Sequence, residues 1–99
     1  MLIRIVRMTF KEEKVTDFLT TFHASKEKIR TFEGCNYLEL LQDENQPTIF
    51  MTYSYWDNEK CLNNYRNSDL FKEVWAATKV LFSDKPMAFS SQSVVKLDF

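Results

Sequence analysis

Glycine occurs once in these 99 residues, and so does histidine; proline and cysteine occur twice each. Each scarcity excludes a chemistry. Loops that cradle phosphates need several glycines for close backbone approach, and Gly34 stands alone. Cys35 and Cys61 lack both the spacing of a zinc site and a histidine cluster beside them. They read as free, partly buried thiols in a reducing cytoplasm, and no metal is expected. No apolar run approaches the roughly 20 residues that cross a bilayer. Residues 1–7 are broken by Arg4 and Arg7 and carry no cleavage site, which fits a strand rather than a signal peptide. Thirteen basic residues against fourteen acidic ones give a formal net charge of −1, so there is no basic field to hold a phosphate backbone. The expectation is one cytoplasmic domain over residues 1–99 that binds neither nucleic acid nor membrane.

Aromatic residues are what the chain has in quantity: nine Phe, four Tyr and two Trp. A domain this small buries only about two thirds of its unfolded surface. Such an aromatic supply calls for an unusually aromatic core, a ligand, or a second copy of the chain to cover it.

Period and punctuation give the order of elements. Residues 2–10 are β-branched and apolar with intervening arginines, and predict a first strand. The period then changes over residues 11–32. Val15, Phe18, Phe22 and Ile29 recur at helical spacing, and Glu33-Gly34 supplies the stop. Residues 35–41 predict a second strand, 42–47 a polar turn ending in Pro47, and 48–56 a third strand. On that third strand Ile49, Met51, Tyr53 and Tyr55 share one face, and Phe50, Thr52, Ser54 and Trp56 the other. Both faces carry apolar bulk, so the strand is expected to be covered on both sides, by helices on one and a second sheet on the other. Asp57 predicts the cap of a short helix through Tyr65. Ser68 predicts the cap of another, with Phe71, Val74, Trp75, Thr78 and Leu81 or Phe82 on one stripe, ending at Lys85-Pro86. Residues 87–97 predict a last strand. The sum is a ferredoxin-like α+β sandwich, βαββαβ, with its second helix split in two.

The stretch Trp56, Glu59, Leu62, Tyr65, Ser68, Phe71 resembles the signature of the antibiotic-biosynthesis-monooxygenase-like family. There a Trp ends the third strand, and acidic, Leu, aromatic or His, Ser and Phe positions follow it. Glu33-Gly34-Cys35 resembles the family's turn into the second strand. The resemblance implies a homodimer whose two sheets face each other in a dimeric α/β barrel, with one pocket per subunit between sheet and helices. It implies oxidation of a small aromatic or quinol by O₂ with no cofactor. The substrate, once deprotonated, itself supplies the electron to O₂.

Carried over residue by residue, the family's substrate-binding positions become Val6, Thr52, Trp56, Phe71 and Trp75. Thr52 stands where the polyketide oxygenases have Asn, a weaker polar anchor. A haem-degrading branch uses an Asn and an axial His where this chain has Val6 and Trp75. Indole cannot ligate iron, so haem degradation is disfavoured. Two residues are candidates for catalysis. Tyr65 is a phenol able to donate to a quinone oxygen, and His23, at the border of the first helix's apolar stripe, is a base that would reach the pocket from above. Against each stands a plain structural reading: a tucked core Tyr and a boundary His. Arg4 and Arg7, on opposite faces of the first strand, read as edge residues or dimer salt bridges in preference to substrate clamps, with Glu39 as a partner across the barrel. The alternative to an enzyme is a non-catalytic dimer gripping an apolar aromatic small molecule, or one whose own aromatics fill the pocket.

Overall fold

A computed structural model describes residues 1–98. Among them, strands β1 (Leu2–Thr9), β2 (Cys35–Gln42), β3 (Ile49–Trp56) and β4 (Met87–Gln92) alternate with helices α1 (Val15–Arg30), α2 (Glu59–Arg66) and α3 (Asp69–Lys79) in the expected order. The strands lie in the order β2-β3-β1-β4, with antiparallel neighbours throughout. Because β1 and β2 both oppose β3, they run parallel to each other, and α1 makes the crossover between them. This is the ferredoxin-like α+β arrangement, with the second helical unit split between α2 and α3. The sheet is open, its edges being β2 and β4. A closed barrel would need strands from another sheet.

Four boundaries differ from expectation, each for a local reason. The helix expected over 11–32 begins as a 3-10 turn at Glu12–Lys14. No Ser, Thr, Asp or Asn caps that end, so the Lys14 N–H closes the turn on the Lys11 carbonyl at 2.9 Å. Asp57 does not cap α2; the Asn58 side chain does, accepting from the Cys61 N–H at 2.9 Å. Asp57 is held elsewhere, accepting from the Asn36 amide at 2.7 Å and donating its own N–H to the Gly34 carbonyl. Ser68 caps α3 as expected, but that helix stops at Lys79, so Leu81 and Phe82 lie beyond it. The chain there pairs with the end of β1. Lys11 N–H donates to the Leu81 carbonyl, Ser83 N–H to that of Thr9, and Phe10 bridges to Phe82. β4 ends at Gln92 instead of residue 97, because Gln92 sits opposite Leu2, the first paired residue of β1.

The helices cover one face of the sheet, and the core beneath them has two centres. At one end Phe10 stacks on Phe18 with centroids 4.1 Å apart, among Met8, Phe50 and Leu81. At the other, Trp56 and Leu62 pack with Leu2 and Cys35. Strand alternation sends Ile3, Ile5, Arg7, Met51, Tyr53 and Tyr55 to the opposite face. No element among the described residues covers that face. Tyr37 stacks on Tyr55 there at 4.9 Å, and Phe89 is 48% exposed.

Candidate functional site

Between the two core centres the helix-facing side of the sheet stands away from α2 and α3, leaving a cavity of about 290 Å³. An engineered cavity of about 150 Å³ accepts one benzene, so this space suits roughly a two-ring molecule. Its position follows from alternation on the strands and helical spacing above them. Val6 and Thr52 are cross-strand partners in the middle of the sheet. Trp56 forms the floor at the end of β3, Tyr65 descends from α2, and Phe71 and Trp75 line one side from successive turns of α3. The rings of Phe71 and Trp75 stack at 5.9 Å and 11°. These aromatics leave the cavity open.

Six of the seven expected site residues therefore line one space: Val6, Thr52, Trp56, Tyr65, Phe71 and Trp75. His23 is the correction. It is exposed on α1, and its Nδ1 accepts from Lys26 Nζ at 3.0 Å. Phe18, Phe22 and Ile29 are the α1 residues that reach the cavity. His23 follows Phe22 by one residue, a rotation of about 100° that carries it off that stripe. It is not placed to serve as a base in the pocket.

The polar groups of the lining divide into engaged and free. The Trp56 indole N–H donates to Ser54 Oγ at 3.0 Å, and Thr78 Oγ1 donates to the Val74 carbonyl at 2.7 Å. Neither hydrogen is free to be donated to a ligand. The hydroxyls of Thr52 and Tyr65 have no protein partner among the described residues. Tyr65 stacks on Trp56 at 5.0 Å and meets Phe71 edge-on at 5.2 Å. Burial, with a smaller contribution from Cys35, pushes its phenol far above the ordinary tyrosine range. Tyr65 is therefore a protonated donor at neutral pH, not a phenolate. Cys35, whose thiol is also raised by burial, is inert beneath it.

Two charged cavity residues were not among the expected site residues. Arg4, expected at an edge or a dimer contact, lines the cavity instead, and so does Arg66 at the end of α2. The signal for Arg4 was present: it shares the parity of Leu2 and Val6 and so must share their face. Arg66 had no signal beyond its place next to Tyr65.

Comparison with known proteins agrees with this fold. The family model described as antibiotic biosynthesis monooxygenase matches residues 1–77. Among proteins with curated functions, none matches the sequence significantly. Many solved structures share the fold. A crystal structure named as an antibiotic biosynthesis monooxygenase superposes with a TM-score of 0.90 at 19% identity, covering 96% of this chain and 100% of its own. A conserved protein from Methanosarcina mazei Go1 gives 0.86 at 25% identity, covering 92% and 91%. A Mycobacterium tuberculosis protein gives 0.89 at 12% identity, covering 98% of both chains.

Proposed function

The chain belongs to the antibiotic biosynthesis monooxygenase family, and from that premise we propose that it oxidises a small aromatic or quinol substrate with O₂, using no cofactor. The observation that carries this reading is the cavity itself. It is walled by Trp56, Phe71 and Trp75, sized for about two rings, and offers the free hydroxyls of Thr52 and Tyr65 as anchors. In such a reaction an anthrone-type ring CH₂ becomes a carbonyl. One atom of O₂ enters the product, the other leaves as water, and the electrons come from the substrate. Tyr65 donates a hydrogen bond to the oxygen on which charge develops. Among the described residues no imidazole or carboxylate lines the cavity. The substrate's own acidity must then supply its deprotonated form, and the rate should climb with pH through the substrate's pKa.

The test is oxygen uptake with hydroquinones, dihydroxynaphthalenes and anthrones, against heat-killed protein and protein-free autoxidation. Uptake above both controls, reduced about tenfold or more in Tyr65→Phe, is the expected result. Absence of uptake across the panel would favour the second reading, a non-catalytic binder of the same ligands. The lack of a general base in the lining is the observation that favours it.

The same proposal includes a homodimer formed through the open sheet face. Its support is a self-complementary surface: the Tyr37, Tyr53 and Tyr55 cluster with Met51, Ile3 and Ile5, whose strands carry the cation Arg7 and the anion Glu39, with Lys96 near Tyr53. Neither Arg7 nor Glu39 has an ion-pair partner among the described residues. In a two-fold dimer Arg7 of each copy would meet Glu39 of the other. Light scattering should give about twice the 11.8 kDa of one chain. Arg7→Glu should shift the protein towards monomer, and adding Glu39→Arg should restore the dimer. A monomeric parent protein would sink this part of the proposal.

A further inference from the structure

We propose that the cavity's ligand is an aromatic carboxylic acid, its rings among the aromatic side chains and its carboxylate between Arg4 and Arg66. The inference rests on the reading of this cavity as an aromatic site and adds the ligand's charge. Arg4 and Arg66 both line one small, largely apolar space, and among the described residues no Asp or Glu lines it with them. Neither arginine has an ion-pair partner among the described residues. Arg4 is half-buried on β1, and its Nη1 donates to Ser90 Oγ on β4 at 3.0 Å. That single neutral contact fixes the side chain but does not offset its charge. Burial and the charge of Arg66 both lower the pKa of Arg4, so the two cations sense each other across the site.

The end of α2 accounts for part of Arg66, since a cation there complements the helix dipole. It does not account for a second guanidinium beside it on the sheet. Arg66 is exposed and Arg4 half-buried, so water screens their repulsion only in part and an anion between them is favoured. Arginine binds a planar carboxylate through two parallel N–H···O bonds, and one such ligand would satisfy both. A simple hydroquinone is neutral at pH 7 and would leave the pair unbalanced. A carboxylate on the ring is ionised at any physiological pH, offsets one of the two positive charges and can accept from both guanidiniums.

The probes are 2-naphthoate and 2-acetylnaphthalene, its neutral counterpart of nearly equal shape. Binding is followed by tryptophan fluorescence and checked by calorimetry. The expected result is that naphthoate binds at least tenfold more tightly. Arg4→Met and Arg66→Gln should each remove most of that preference while leaving acetylnaphthalene affinity within about twofold. Lys60→Gln, on α2 but outside the lining, should change neither. Raised salt should weaken naphthoate and spare the ketone. If Arg4→Met fails to fold, Arg66→Gln and the salt series decide alone. Equal affinity for the two probes overturns the carboxylate assignment and leaves the aromatic site standing. Binding of neither overturns both. Naphthyl phosphate binding more tightly than naphthoate overturns the choice of carboxylate.

Discussion

Replacing Gly34 with alanine is expected to lower the melting temperature by about 15–30 °C. Gly34 has φ +89°, a region that L-residues enter at a cost of about 1–2 kcal/mol. The Cβ of an alanine would also stand 2.5 Å from Cys61 Cβ and 2.6 Å from Cys61 Sγ. The Cys61 Cβ is anchored to the first turn of α2 and cannot swing aside as a long side chain would. Overpacking of this kind adds about 1–3 kcal/mol. The total, about 4 kcal/mol, converts to the stated shift for a domain of this size. Cys61→Gly in the alanine background should recover the steric part and leave the conformational part. A melting temperature within about 5 °C of the parent in Gly34→Ala would show that the turn relaxes and that the close approach carries no penalty. The strain would not stay local. The Gly34 carbonyl accepts from Asp57 N–H, and Cys35 pairs with Trp56, so the turn fixes the end of β3 and with it the cavity floor.

The fold was legible because its signals are local and periodic. Strand alternation and the helical stripe of Val15, Phe18, Phe22 and Ile29 placed the elements, and the single glycine placed the stop after α1. Boundaries failed where tertiary pairing overrode local preference. Leu81 and Phe82 fit a helical stripe, yet backbone bonds to Thr9 and Lys11 hold them as an extended edge. Asp57 is as good a cap as Asn58 by residue type. The nearby Asn36 amide, across the β2–β3 pairing, claims its carboxylate, and only the register reveals that contact.

The site divides in the same way. Its aromatic side was legible from the family resemblance and from helical spacing. The error on His23 was one of phase: a residue at the border of a stripe lies inside or outside by a rotation that sequence fixes poorly. The error on Arg4 was one of expectation. Its parity placed it on the covered face, but charged residues are rarely placed there without a visible partner, and an edge position was the milder reading. The charges that composition treats as balanced are thus unbalanced where a ligand would lie.

Trp56→Ala is expected to destabilise the domain by about 3–5 kcal/mol, enough to leave much of the chain unfolded at 37 °C. Trp56 is 1% exposed and is one of the two largest fully buried side chains among the described residues. It supports Tyr65 by stacking at 5.0 Å and meets Phe32 edge-on at 6.4 Å. Its N–H donates to Ser54 Oγ, which in turn lies 3.5 Å from the Arg4 carbonyl it donates to. Loss of activity in Trp56→Ala would therefore report a collapsed floor and not a chemical role. Trp56→Phe separates the two. It keeps an aromatic surface under Tyr65 and removes the N–H, leaving the buried Ser54 hydroxyl short of its donor at a cost of about 1–2 kcal/mol. Ser54→Ala should then be less harmful in the Trp56→Phe background than in the parent, because the bond is already gone. Equal effects in both backgrounds would mean the indole–serine bond contributes nothing to stability. A Trp56→Ala protein melting close to the parent would mean that Trp56 merely walls the cavity. If Trp56→Phe folds and keeps its ligand affinity while Tyr65→Phe folds and loses turnover, the floor and the donor are assigned to different residues.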